Sequence, residues 1–187
     1  MNLEKAIQAR ENGLFIRPTA VRDPWVLLTL DGPDAGTFLH SQTTNDVLSL
    51  GIGEGHVGAR VTRTGHLLSL FSCHYLHSNS KSLYGLLLQL SQREPLHQAL
   101  DAMHFSDEFV FALPMEPAAV LQGPHSFGHL ADLGGEWKDH DWENTPECAE
   151  VRIGTVRVIR RSLTGDPGFL IWSEDETIWS QLERSVS

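Results

Sequence analysis

Alternating and helically spaced apolar positions divide the chain into a series of short elements. Asn2 to Asn12 carries Leu3, Ala6 and Ile7 on one stripe and predicts an opening helix that stops at Gly13. Trp25 to Leu30 predicts a strand closed by the turn Asp31-Gly32-Pro33, after which a helix turns Ala35, Phe38 and Leu39 inward. Three further strands are expected over His56 to Thr62, His66 to His77 and Ser82 to Leu90. The connections Arg63-Thr64-Gly65 and Ser78-Asn79-Ser80-Lys81 have the spacing of an antiparallel meander. The middle strand sets Leu67, Phe71 and Tyr75 against Leu68, Leu70 and Leu76, which predicts a central strand buried on both faces. A helix over Gln92 to Met103 and a strand over Glu108 to Leu113 follow. Downstream, Val151 to Ser162 is expected to pair with Phe169 to Trp172 across a type II turn at Asp166-Pro167-Gly168, and a helix over Glu174 to Arg184 closes the chain. The order of elements predicts an α+β fold, a mostly antiparallel sheet with helices packed on it.

Composition bounds this picture. With 187 residues, 41% of them hydrophobic, there is material for one domain, or at most two subdomains. The best division is 1–133 and 150–187, joined by an acidic linker over 134–149 with two exposed tryptophans, Trp137 and Trp142. Residues Asp101 to Glu150 hold eleven acidic side chains and one lysine, so the whole net charge of −10 sits there. Such a surface repels phosphate backbones and argues against nucleic acid. The acidic segment 132–150 reads as a solvated surface, with docking of a basic protein partner as the alternative. No apolar run reaches the length of a membrane span and the N-terminus lacks a signal-peptide layout, so a cytoplasmic protein is expected. Cys73 and Cys148 lie in dissimilar contexts, which offers neither a disulfide framework nor a metal knuckle.

Few residues carry chemistry on their own terms. Asn45-Asp46 follows a helix end and suits either a capping turn, the preferred reading, or an active-site turn. His74 and His77 fall on opposite faces of one strand, and His125 with His129 lacks a third ligand, so a metal site is disfavoured. Cys73 and His74 diverge as strand neighbours, which leaves Cys73 a buried structural thiol. No GxGxxG, P-loop or GxSxG occurs, which removes dinucleotide enzymes, P-loop NTPases and α/β-hydrolases. Arg152, Arg157, Arg160 and Arg161 form one basic cluster, either a solvated strand face or a clamp for a small carboxylate.

Three separated segments, taken in order, resemble the aminomethyltransferase superfamily, which includes the glycine-cleavage T-protein and the YgfZ-type folate-binding relatives of iron–sulfur assembly. Leu30 to Val47, with Thr44-Asn45-Asp46-Val47, is similar to the family's opening pattern. Gly65 to Phe71 stands where the transferases have G-G-x-x-D-D-L, and Thr164 to Ile171 matches T-G-E-D-G-F-E-I in length and glycines. The resemblance runs from about Leu30 to Trp172 and implies the family's folate-binding fold without its C-terminal barrel. It implies a ligand set of Asn45, Asp46, Ser69, Arg160, Arg161 and Asp166, with tetrahydrofolate as the cofactor and no metal. The expectation is that Asn45, Asp46, Ser69 and Arg161 converge on one concave surface.

The departures from the pattern choose the branch. Ser69 and Leu70 replace the aspartate pair, Leu170 replaces the glutamate that holds the pterin ring, and Leu163 replaces a tyrosine. No catalytic residue is therefore expected. The YgfZ-type branch shares the missing pair, but its K-G-C-x-x-G-Q-E motif does not occur here. The expected function is a non-catalytic tetrahydrofolate-binding protein related to the iron–sulfur-assembly factors. The alternatives are a divergent aminomethyltransferase, and a protein-binding scaffold that has lost folate.

Overall fold

The computed structural model describes residues 11–78, 82–112 and 117–186. The expected opening helix lies outside these residues except for Glu11 and Asn12, which are helical and precede Gly13 in a left-handed conformation. Chain contacts gather into two compact units, Asp23–Pro117 and Met1–Arg22 with Ala118–Ser187. The division therefore does not fall at the acidic segment. Each unit carries its own five-stranded sheet, and every strand pair in both is antiparallel. The α+β class and its antiparallel pairing are as the sequence predicts, but with two sheets instead of one.

In the Asp23–Pro117 unit the strands are β2 (Trp25–Asp31), β3 (Gly55–Val61), β4 (Leu67–Tyr75), β5 (Leu83–Gln89) and β6 (Val110–Ala112), in the order β3-β4-β5-β2-β6. Helices α1 (Ala35–Gln42) and α2 (Leu90–Asp101) supply Phe38, Leu39, Leu96 and Leu100 to one core. The sheet side of that core comes from Leu28, Leu30, Phe71, Cys73, Leu86 and Leu88, which share one face through the registers Leu28↔Leu86 and Cys73↔Leu86. Leu27 and Leu87, on the opposite face, are also fully buried, so β2 and β5 are apolar on both sides.

Strand β4 departs from its expected burial. Phe71, Ser72, Cys73 and His74 are buried, but Leu67, Leu68 and Leu70 are 62%, 57% and 55% exposed. The cause is the extent of pairing. Strand β4 pairs with β5 only over Ser72–Tyr75, whereas its first half pairs with β3 alone, through a register shift between Arg60 and Val61. A hairpin of two strands projects past the sheet and takes its leucines with it.

The other unit is built from β1 (Leu14–Ile16), β7 (Ala119–Gln122), β8 (Glu150–Ile153), β9 (Val156–Arg160) and β10 (Gly168–Trp172), in the order β1-β7-β10-β9-β8. Helices α3 (Ser126–Ala131), α4 (Glu136–Asp139) and α5 (Glu176–Val186) accompany it, and Leu121, Leu130, Trp142, Phe169, Trp179 and Leu182 form the core. The expected single strand over Val151 to Ser162 is a tight hairpin, because Gly154 adopts φ +57° and turns β8 back onto β9. The expected type II turn is absent. Gly168 is the first, extended residue of β10, and the connection is the whole stretch 161–167, with Gly165 left-handed and the Arg161 amide donating to the Gly168 carbonyl at 2.8 Å. Trp137 and Trp142 are not exposed. They are buried, 5.8 Å apart and stacked, so residues 134–149 are packed structure and not an open linker.

Gly168 is fixed by close approach: a Cβ there would lie 2.0 Å from the Gln122 amide, which donates to the Arg161 carbonyl and accepts from the Leu163 amide. Gly168→Ala is expected to destabilise the protein by about 1–3 kcal/mol, from overpacking and the displaced amide. Gly128→Ala in α3, where a Cβ meets nothing within 4 Å, should instead be neutral or stabilising by about 0.5–1 kcal/mol. The urea unfolding midpoint should fall for Gly168→Ala and hold or rise for Gly128→Ala.

Candidate functional site

Strand alternation sets His56, Gly58 and Arg60 of β3 on one face, opposite Cys73, Phe71 and Ser69 of β4. A Cβ built on Gly58 would sit 3.6 Å from Phe71 Cε2, 3.8 Å from His56 Nδ1 and 3.9 Å from Asn45 Oδ1. Asn45 and Ser69 therefore lie on the same face of the β3–β4 ladder. The loop carrying Asn45 is pinned to the β3 edge: the Thr44 amide donates to the Ala59 carbonyl at 3.0 Å, and the Ala59 amide donates to Thr44 Oγ1 at 3.1 Å. Thr44 Oγ1 in turn donates to Asn45 Oδ1 at 2.9 Å.

The capping role preferred for Asn45-Asp46 is not what these side chains do. Asp46 stands at the N-cap of the short 3₁₀ turn Val47–Ser49 without a side-chain cap bond, and its carboxylate meets His40 Nδ1 at 3.3 Å on an exposed surface. Asn45 is exposed as well.

Next to Ser69 is a cleft of about 460 Å³, lined by Arg60, Leu67, Leu68, Ser69 and Leu70 from the hairpin and by Ser91, Gln92, Pro95, Leu96 and Ala99 from α2. Its volume is in the range of small-molecule sites. Asp23 shapes the α2 wall by capping the helix: Oδ1 accepts from the Ser91 amide at 2.9 Å and Oδ2 from the Ser91 hydroxyl at 2.7 Å. Those bonds hold the Asp23 carboxyl below its ordinary range. Pro95 lacks the N–H that would bond the Ser91 carbonyl.

Two polar groups in the cleft are buried and without partners: Arg60 Nη1 and Ser69 Oγ. Farther along the same face, both ring nitrogens of His56 are buried and unpaired too. Among the described residues no carboxylate lines the cleft. Burial draws the Arg60 guanidinium below its usual pKa. Arg60 was not among the residues nominated from sequence. The signal for it is an arginine at an inward position of an alternating strand, in phase with His56 and Gly58.

The arginines that were nominated belong to the other unit and are committed there. Arg157 forms a buried ion pair with Glu150 at 2.5 Å, so that part of the cluster is no solvated face. Arg160 donates from Nη1 to the carbonyls of Glu143, at 2.9 Å, and Thr145, and lies 5.1 Å from the centre of the Phe127 ring. Arg161 pairs with Glu147 at 3.2 Å. They tie the acidic segment down. Asp166 is exposed on the 161–167 connection, and Leu170 is fully buried in β10.

Among the described residues no three His, Cys, Asp or Glu side chains gather as a metal site. His129 bonds the Asn12 carbonyl through Nε2 at 2.7 Å, and His140 bonds Thr145 Oγ1 at 2.9 Å. Cys73 and Cys148 are both buried and neither forms a disulfide. Burial pushes the Cys73 thiol up from 9.0 to about 12, which keeps it protonated and poorly nucleophilic. We expect iodoacetamide at pH 8 to leave Cys73 unmodified in the folded protein and to alkylate it once urea unfolds the chain. Because the folded state holds the neutral thiol, its contribution to stability is complete below the ordinary value of 9.0 and declines as pH rises from there toward about 12.

No family model matches this sequence, and no curated protein does. Among solved structures the chain is similar to the glycine cleavage system aminomethyltransferase T from Bartonella henselae, with a TM-score of 0.69 at 19% identity. The match covers 84% of this chain and 43% of that one, so the chain spans less than half the length of this structural relative. The likeness establishes the fold.

Proposed function

We propose that this chain binds tetrahydrofolate or a closely related folate, and that it does so without transferring an aminomethyl group. The observation that carries the reading is the cleft beside Ser69: it opens at the segment that resembles G-G-x-x-D-D-L and has no carboxylate in its lining. The fold, shared with aminomethyltransferase T, is the second support.

The cleft fits the ligand class. Leu67, Leu68, Pro95 and Leu96 offer apolar surface for a planar ring system, while Arg60, Ser69 and Gln92 offer polar contacts. A folate would bring a one-carbon acceptor nitrogen to such a site. Catalysis of aminomethyl transfer needs charge aimed at the reacting centre, and Ser69 and Leu70 supply none. The ligand is held but not activated. A role beside iron–sulfur-assembly factors, from the resemblance to the YgfZ-type relatives, and a cytoplasmic location are part of the same proposal. No helix among the described residues is long and apolar enough to cross a membrane. Docking of a basic protein on the acidic segment 132–150 is a weaker part of the proposal, since Arg160 and Arg161 already occupy some of its acceptors.

Two measurements test the reading. Calorimetric titration with tetrahydrofolate should give saturable binding, and absence of binding would remove the proposal. Incubation with an aminomethylated lipoyl carrier and tetrahydrofolate should give no transfer above background. One missing preorganised group commonly costs about 10² to 10³ in rate, and here both carboxylates are gone. Turnover at about 1 s⁻¹ or faster, ordinary for enzymes, would make the protein a divergent transferase.

A further inference from the structure

Arg60 and Ser69 are directly opposed in the β3–β4 ladder, which sets their Cβ atoms about 4.5–5.5 Å apart on the cleft face. Each has a buried polar atom with no hydrogen-bond partner. An unpaired group of this kind is costly to bury, and buried charges are ordinarily paired. No acidic side chain forms an ion pair with Arg60 among the described residues, and none lines the cleft. The Ser91 hydroxyl, which is also in the lining, is already given to Asp23. What remains is one partly desolvated guanidinium with a hydroxyl beside it, at the wall of an otherwise leucine-rich cleft.

Resting on the reading that the cleft takes a folate-class ligand, we infer that Arg60 is its anion anchor: the guanidinium, with the Ser69 hydroxyl, receives a carboxylate whose aromatic body lies against Leu67, Leu68 and Leu96. A guanidinium fork matches a carboxylate in geometry, and the contact strengthens where water is excluded. An anion in this position offsets the desolvation that now weakens the charged form of Arg60. The arginines at 157, 160 and 161 are less suited to the role, since each already has an acidic or carbonyl partner. For a folate, the group delivered to Arg60 is a carboxylate of the glutamyl tail. The shared chemistry is an aryl compound with an acidic end.

The test uses calorimetry on the full chain and on Arg60→Gln, Arg60→Lys and Ser69→Ala, with four probes: tetrahydrofolate, 4-aminobenzoylglutamate, the tail-less 6-methyltetrahydropterin, and 3-phenylpropionate. Arg60→Gln should weaken the three carboxylates by about ten- to a hundredfold and leave the tail-less pterin unchanged. Arg60→Lys should fall between, since it keeps the charge and loses the fork. Carboxylate binding to the unaltered chain should weaken with salt. Thermal unfolding of Arg60→Gln without loss of midpoint shows that the fold is intact, and should be seen because the substitution removes an uncompensated charge. Arg60-dependent binding of 3-phenylpropionate with no binding of tetrahydrofolate would uphold the anchor and sink the folate reading. Tetrahydrofolate binding that Arg60→Gln leaves intact, equal losses for the pterin and the carboxylates, or failure of every carboxylate to bind the unaltered chain would overturn the anchor.

Discussion

The site depends on one mismatch of lengths. Strand β4 has nine residues, but only Ser72–Tyr75 have a partner in β5. Where both neighbours are present, β4 is buried; where only β3 remains, Leu67, Leu68 and Leu70 stand in solvent. A solvated strip of leucines is unfavourable at about 25 cal/mol per Å² of apolar area, so a ligand that covers it gains directly from burial. Had β5 continued alongside, the same residues would be ordinary core and no cleft would open between the hairpin and α2. The apolar wall and the access to it have a single origin.

Electrostatic commitments in the two units differ in kind. In the unit formed by Met1–Arg22 and Ala118–Ser187, the acidic segment is also a source of acceptors, and three arginines are consumed by it or by Glu150. Arg160 engages backbone carbonyls in place of carboxylates and so fixes the path of a segment with little regular structure. A charge of −10 concentrated in sequence is thus partly an internal scaffold. In the Asp23–Pro117 unit the positive charge of Arg60 has no such partner. Arg160 and Arg161 also keep an Nε without a partner, but their other nitrogens are engaged, whereas Arg60 lines the cleft with no ion pair among the described residues.

Local pattern made much of this legible. Strands β2 and β5 are legible as short apolar runs bounded by turns, and α1, α2 and α5 follow helical spacing with one continuous apolar face. What pattern could not show was set by partners distant in sequence. The burial of β4 depends on where β5 stops pairing, and the packing of Trp137 against Trp142 depends on a core assembled from β7, β9 and β10. The hairpin between β8 and β9 was hidden because Gly154 interrupts an alternation that continues on either side of it. Of the residues expected to bind a ligand, Asn45 and Ser69 come to one face of the ladder, whereas the engagement of Arg160 was not legible because its partners are backbone carbonyls, which leave no trace in composition. Arg60 went unremarked since a single arginine in a strand ordinarily points to water.

The chemistry that can occur at the cleft follows from what surrounds the Ser69 position. A carboxylate at this position would bring a negative charge within reach of Arg60, its cross-strand partner, and the two would pair. The guanidinium would then be occupied, and an incoming carboxylate would meet a neutralised site. With serine there, the charge is unopposed and a hydroxyl that both donates and accepts stands beside it. Serine at this position thus removes a charge suited to catalysis and, through the same cross-strand contact, leaves a charge suited to binding. Under the proposed function, the absence of transfer and the binding of a carboxylate would be two consequences of one side chain.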